Sequence, residues 1–444
     1  MTDTIHNWSR THACNPTKLA FPEDEAAVIA LVTEAAATGA TLRVVGALHS
    51  WSDIAMSDGV LVSLDRMQRV LELDAAGLRV RVQAGIRVKQ LNEALAAAGL
   101  ALPIVGSVVE QSVAGVLATG THGSSLVHGN IADSVVGMRL VTGQGDVVEL
   151  QDDDPRLPAA RVALGALGVV TEVTLRVVSA FQLCETTEAV SFDDAVRDMA
   201  EIARSAEYVK LWWLPHTDVV IIFRAARTTD LGRISPIARW LDEHLLNRLV
   251  FAAVLRLGRL FRGLIAPLNR LIARTYLKPR RTIGRSDRVL SLAMPPRHRE
   301  TEYALALADA GAALAATRAL ILNHDLRVNF ITEVRFVRGD DAWMSPASGR
   351  DTCQLGAYMG DAAGVERYFS EFETAMKALG GRPHWGKSFR VTTDELRAIY
   401  PDFQRFRDLV ETWDPQRIFR NRFVARLFED PTSDQSRRDD LVGE

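Results

Sequence analysis

Val44-Val45-Gly46-Ala47-Leu48-His49-Ser50 is the stretch whose reading decides the fold, together with a second one running from Gly106 to Ser125, GSVVEQSVAGVLATGTHGSS. The first is an apolar strand entering a small-residue turn with a histidine at its exit. Glycine at such a turn permits close approach of backbone to a ligand, and consecutive N–H groups can bind phosphate oxygens. Taken alone, a histidine after a turn is more often a surface or structural residue. The second stretch is dense in Gly, Ser and Thr with one apolar flank, so its bare backbone can wrap a large planar group and a diphosphate. The plain alternative is a long loop. Neither stretch is a Rossmann fingerprint, because no GxGxxG joins a strand to a helix, and the Walker A pattern is absent.

The surrounding composition bounds what such loops can serve. A chain of 444 residues exceeds what one hydrophobic core usually supports, which predicts two packed domains. Hydrophobic residues at 48%, charged residues at 24% and a formal net charge of -3 provide no global basic field, which argues against a nucleic-acid partner. Cys14, Cys184 and Cys353 lie far apart and form no CxxC pair, so neither a disulfide framework nor a thiolate metal site is expected, and a reducing, cytoplasmic setting fits best. The N-terminal residues are too polar for the apolar core of a secretory leader. No window suits a membrane-spanning helix; the nearest, Leu249 to Leu255, is flanked by Arg248 and Arg256.

Local patterns place the two stretches among short elements of both kinds. Pro22-Glu23-Asp24-Glu25 reads as a helix start and Gly39 as its stop; Leu42 to Val45 follows as a buried strand. Leu78 to Gln83 alternates strictly and reads as a half-exposed strand, Arg87 to Ala98 as a helix closed by Gly99. Val135 to Thr142 and Val147 to Leu150 read as a hairpin about Gly143-Gln144-Gly145, and Val169 to Val178 as a further strand. Beyond about residue 180 the pattern predicts a helical middle from Ile234 to Leu277, a strand from Val328 to Val337, a helical region from Glu395 to Thr412 and a frayed polar tail after Asp430.

Taken together, the loops resemble the FAD-binding domain of the vanillyl-alcohol oxidase superfamily, specifically its aldonolactone oxidase branch, which includes gulonolactone, arabinonolactone and alditol oxidases. The family's VGxGHS loop matches Val45 to Ser50, its SxxGxxxTGTHG loop matches Ser112 to Gly123, and LGALGVVTEVTL matches Leu164 to Leu175, in the family's order. The resemblance implies an α+β protein, with a two-subdomain FAD-binding (PCMH-type) domain over residues 1–180. An α+β substrate, or cap, domain would follow over 181–444, its C-terminal segment returning to the first domain. It also implies FAD contacts from Val45, Gly46, Ala47, Leu48, His49, Ser50, Gly106, Ser112, Gly115, Thr119, Gly120, His122, Gly123, Val170 and His384. His49 would bond covalently to the flavin 8α-methyl carbon, a sensible step because a neutral imidazole is a nucleophile. Leu48 departs from the family, which usually has glycine there.

Three further segments carry the resemblance into the second half. Glu333 and Arg335 share one face of a strand in Ile331-Thr332-Glu333-Val334-Arg335-Phe336, which continues into Asp340-Asp341-Ala342-Trp343-Met344-Ser345-Pro346. By pattern alone this is a cross-strand pair on an exposed sheet; by resemblance the two residues line the substrate pocket. Arg382-Pro383-His384-Trp385-Gly386-Lys387 matches a family segment whose lysine lies beside substrate and flavin. Tyr400-Pro401 and Asp414 to Asn421 look like the family's C-terminal signature. Tyr358 stands where these enzymes often place histidine or threonine.

The implied activity is oxidation of a CH–OH group in a sugar-derived substrate, most readily an aldono-1,4-lactone, with Glu333, Arg335 and Lys387 as catalytic residues and no metal. A polyol substrate, or a sugar dehydrogenase passing electrons to an acceptor other than oxygen, is the enzymatic alternative; a flavin-binding sensor is the non-enzymatic one. From Leu245 to Ser286 there are ten Lys or Arg residues and no acid among apolar residues. Such a pattern suits either a solvated helical cap or peripheral contact with the inner face of a membrane.

Overall fold

The structure is a computed structural model that describes residues 4–232, 235, 237, 240, 249–275, 279–360 and 362–429. The front of the expected helical middle, with Arg248, as well as Lys278 and the tail after Asp430, lies outside the described residues.

Three parallel strands, Lys18–Ala20, Val60–Ser63 and Leu42–Val45, form the first sheet with Val60–Ser63 in the centre. That central strand reads Val-Leu-Val-Ser and is buried throughout, the signature of a parallel strand covered on both faces. Helix Glu25–Thr38 links the outer strands; Asp24 caps its start by accepting from Ala27 N, and Gly39, at φ 66°, ends it in the left-handed region. Five antiparallel strands form the second sheet in the order Val147–Gln151, Val135–Val141, Val169–Arg176, Arg79–Gln83, Val70–Asp74. The expected hairpin is present, with Val147 opposite Val141.

The last strand of that sheet ends at Arg176, and the first of an eight-stranded sheet begins at Gln182. Its order is Arg281–Arg285, Gln182–Ser191, Val219–Thr228, Tyr208–Trp213, Thr332–Val337, Thr352–Gly360, His298–Ala306, Arg382–Pro383. Strands Thr332–Val337 and Thr352–Gly360 are buried at every position. Helices Ala310–Asn323 and Val365–Ala378 pack on this sheet.

Three expected elements differ. The 395–412 region is two helices, Thr393–Ile399 and Phe403–Trp413, because Pro401 steers Tyr400 out of the helical region to φ -112° and ψ 109°. The strand expected from Val328 begins at Thr332, where the Asn329 side chain takes the N–H of Gly360 and replaces a ladder bond. The described part of the helical middle is broken into Ala252–Leu260 and Ile265–Thr275 by a tight turn at Arg262–Leu264.

The C-terminal segment lies against the first sheet. Leu42 N donates to Ile418 O at 2.6 Å, and Asn421 Nδ2 donates to the carbonyls of Ile54 and Met56. Arg43 is the buried knot of this contact, donating to the carbonyls of Ile54, Leu164, Gly165 and Phe419. A buried cation this well bonded cannot be removed without stranding its acceptors. Arg43→Met is therefore expected to lower unfolding free energy by about 3–5 kcal/mol, read from denaturant unfolding.

Candidate active site

The two loops that opened the reading meet in space. A Cβ on Gly46 would sit 2.5 Å from Ser112 Oγ, so only glycine lets the loops touch without moving that hydroxyl. A cleft of about 120 Å³ runs between them, lined by Val45, Gly46, Ala47, Leu48, His49, Ser50, Ser112, Gly115, Thr119 and Val170 among others. Among the described residues no acceptor takes the N–H groups of Ala47, Leu48, His49 and Ser50, which leaves a run of donors of the kind that holds phosphate. His49 Nδ1 is likewise buried without a partner. These bare donors fit FAD, whose diphosphate and ring need a glycine-thin wall with free N–H groups.

Leu48 adopts φ 55°, the conformation that glycine would take there. Its carbonyl accepts from Trp8 N at 2.8 Å, and its side chain packs beside Cys14, Val45, Met56 and Leu61. The departure from glycine is thus absorbed by packing on the loop's outer side. The Trp8 ring stacks on His49 with centroids 6.0 Å apart. Burial lowers the His49 pKa, with Arg87 and Lys387 acting in the same direction against Glu110, so the imidazole is held neutral.

The cleft opens into a cavity of about 610 Å³ between the two halves of the chain. His49, Ser50, Thr119 and His122 line it from one side; Glu333, Arg335, Tyr358, His384 and Lys387 line it from the other. Phe251, Val254 and Ile272 of the broken helical middle supply an apolar roof.

The floor is a buried ionic network. Arg335 Nη2 donates to both Glu302 oxygens, at 3.0 and 2.9 Å, and Arg335 Nε lies 3.4 Å from Glu333. Glu333 accepts from Trp212 Nε1 and from the Tyr358 hydroxyl, each at 2.8 Å. His122 Nε2 lies 2.9 Å from Glu302, while its Nδ1 faces Gly123 O at 2.8 Å. Burial would raise the Glu302 carboxyl, but Arg335 and His122 outweigh it and hold it well below the usual carboxylate range. Burial pulls the Arg335 guanidinium down, yet Glu302 and Glu333 leave it above its ordinary value. Tyr358 is raised by burial and by Glu333, so its hydroxyl stays a donor.

Lys387 comes from the turn after His384, whose backbone N bonds Glu302 O. Trp385, fully buried, donates to Met344 O at 2.6 Å, and Ser52 Oγ and Trp51 N bond the carbonyls of Trp385 and Gly386. Those bonds tie the lysine-bearing turn to the His49 loop. Lys387 Nζ contacts Glu300 and sits 4.3 Å from the centroid of the Trp51 ring. Burial pushes this ammonium down to about 7 and His384 down to about 4.

Glu333 and Arg335 do share a strand face, but they are buried rather than on an exposed sheet. Gly106 and Gly120 line neither cavity: a Cβ on Gly106 would meet Thr121, and one on Gly120 would meet Pro346. Gly123 likewise packs tightly, against Ile104 and Val105. The Asp340 to Pro346 segment clasps the two halves: Asp340 accepts from Asn130 and Ser345, and Asp341 pairs with Arg161. Burial raises the Asp340 carboxyl to about 7. Sequence reading missed His298, Glu300 and Glu302, which strand His298–Ala306 turns to one face. The alternation His-x-Glu-x-Glu was the available signal.

Residues 16–151 match the FAD binding domain family, so with the cleft and floor described the chain is an FAD-dependent oxidoreductase. Residues 173–427 match the D-arabinono-1,4-lactone oxidase family, and the chain belongs to that family. It is 32% identical to an L-gulonolactone oxidase from Scyliorhinus torazame over 96% of this chain and 98% of that one. It is 33% identical to an L-gulono-1,4-lactone dehydrogenase from Mycobacterium tuberculosis over 95% and 98%. A D-arabinono-1,4-lactone oxidase from Eremothecium gossypii is 30% identical over 87% and 84%. Among solved structures, a solvent-stable cholesterol oxidase has a TM-score of 0.82 over 95% of this chain and 97% of that one at 17% identity, a likeness of fold.

Proposed function

We propose that the protein oxidises a ring CH–OH group of an aldono-1,4-lactone, with FAD in the cleft between the loops of a domain spanning 1–180 and the lactone on the floor of a domain spanning 181–444. The observation that carries this reading is one cavity joining His49 to Glu333, Arg335 and Lys387. When bound, FAD supplies the acceptor for the hydride that leaves the substrate carbon. Arg335 stabilises negative charge as it develops on the substrate oxygen, Lys387 lies beside that oxygen, and Glu333 orients the substrate hydroxyls. Tyr358 fixes that carboxylate from behind, which distinguishes this pocket from one floored by histidine or threonine. Anaerobic mixing with a panel of aldonolactones and polyols is expected to bleach the flavin with lactones; bleaching by polyols alone would transfer the assignment to an alditol oxidase. Lys387→Met is expected to keep FAD bound and slow reduction by about 10²-fold, and unchanged reduction would remove Lys387 from the site.

His49 carries the flavin covalently in this reading. Its neutral, unpartnered Nδ1 and its place beside the donor-rich loop support that role. Yellow colour is expected to stay with acid-precipitated protein and to be released from His49→Ala. Colour left in the supernatant of the unaltered protein would make the attachment non-covalent.

The outer face of the broken helices contacts an anionic membrane from the cytoplasmic side. Leu249, Leu260, Phe261, Leu264 and Leu271 are exposed there beside Arg256, Arg259, Arg262, Arg270 and Arg274. No helix among the described residues is long and apolar enough to cross a membrane, which leaves surface contact as the mode. Co-sedimentation with phosphatidylserine vesicles is expected at low salt and to weaken as salt rises. Absence of binding at low salt would remove the membrane from the reading.

A further inference from the structure

His298 and Glu300 are buried, titratable and unused by the reaction as described so far. The His298 ring is fixed by four aromatic neighbours, Phe330 at 4.7 Å, Trp51 at 5.3 Å, Trp8 at 5.5 Å and Tyr358 at 5.8 Å between centroids. Its Nδ1 lies 2.8 Å from Pro296 O and so donates there. Its Nε2 lies 3.1 Å from Glu300 Oε1. An imidazole lone pair and a carboxylate oxygen repel at that distance, so the contact requires a proton between them. The other oxygen of Glu300 contacts Lys387 Nζ, and both groups line the cavity.

The charge count points the same way. With Lys387 as an amine, Glu300, Glu302 and Glu333 would place three negative charges on a buried floor beside the Arg335 cation. An uncompensated buried charge is costly, and a proton on Glu300 lowers the count. The remaining groups that face this pair are Glu302, 3.9 Å from Lys387 Nζ, then Arg335, Glu333 and Tyr358 from neighbouring strands, and His49, His122 and His384 from the loops.

We propose that Glu300 and His298 are positioning residues that set the proton state of Lys387 and so let Lys387 receive the substrate's hydroxyl proton. The proposal rests on the reading of Lys387 as the group beside the lactone. In the resting site Lys387 is an amine and Glu300 is protonated, donating to neutral His298. As the substrate is oxidised, its O–H bond breaks and an N–H bond forms on Lys387. Glu300 passes its own proton to His298 Nε2, leaving a carboxylate beside the new ammonium. The C–H electron pair would leave as hydride to FAD held in the cleft, and the carbonyl forms on the substrate. After product release Lys387 returns its proton to solvent, and His298 returns its proton to Glu300. Burial pushes Lys387 down to about 7, which makes its amine form available near neutral pH, and His298 down to about 3, which keeps its resting ring neutral.

The test compares the FAD-loaded protein with Glu300→Gln, Glu300→Asp and His298→Gln, each checked for retained flavin absorbance. Competitive acetylation with acetic anhydride across pH, read by mass spectrometry of the Lys387 peptide, gives the inflection of that amine without any substrate. Glu300→Gln is expected to move the inflection down by at least about one pH unit, because no carboxylate remains to stabilise the ammonium, and Glu300→Asp to restore part of it. Anaerobic flavin reduction by the lactone is expected to slow about tenfold or more in Glu300→Gln and His298→Gln, with the same shift in its pH profile and little change in substrate affinity. A Lys387 inflection unchanged in Glu300→Gln overturns the proposal, as does unchanged reduction in His298→Gln. If no lactone reduces the unaltered protein, the lactone reading fails, and the acetylation inflection alone decides for or against the pair.

Discussion

The pairing of Arg335 with Glu302 is the interaction on which the site depends. Both groups are almost wholly out of water, and neither could be there singly, since an unpaired buried charge costs several kcal/mol. Their mutual fixing sets the strand neighbours Thr332–Val337 and His298–Ala306 around the intervening strand Thr352–Gly360. Around that pair every other polar group takes its place: His122 reaches Glu302 from the flavin loop, Glu333 is braced by Trp212 and Tyr358, and Lys387 lies against Glu300. The floor is built before a substrate arrives, which is what electrostatic stabilisation in a water-poor site requires.

That network also joins the two halves of the chain. His122 belongs to the glycine-rich loop, Glu302 to the eight-stranded sheet, and the turn bearing Lys387 is bonded to Trp51 and Ser52 just beyond His49. The Asp340 clasp on Asn130 and the Arg43 knot on the C-terminal segment hold the same interface at two further points. The cleft between the loops and the ionic floor therefore keep one relative position.

The two glycine-rich loops stood out in the sequence because their composition is extreme: a run of Gly, Ser and Thr suits close approach of backbone to something else. That Glu333, Arg335 and Lys387 line one cavity was legible only through resemblance, since their local patterns equally describe a surface strand and a solvated turn. His298, Glu300 and Glu302 escaped because His298-Arg299-Glu300-Thr301-Glu302 is polar at every position and gives no hydrophobic alternation to mark an inner face. What buries this strand is its neighbours, Arg382–Pro383 on one edge and Thr352–Gly360 on the other, far away in sequence. At Gly106, Gly120 and Gly123 the space a side chain would need is taken by neighbouring protein, a feature that depends on packing and not on residue type.

The strand His298–Ala306 has a further property in its two faces. Opposite the ionisable row, Arg299 pairs with Glu366 and Tyr303 packs on Phe372, both on helix Val365–Ala378. Because side chains alternate with a period of two, a slip of one residue would send His298, Glu300 and Glu302 under that helix and push Tyr303 into the cavity. Foldability and the polar floor are thereby written in the same parity: a chain that pairs this strand wrongly loses its helix layer along with its buried ionisable row, so a stably folded but mis-registered form has nothing to sustain it.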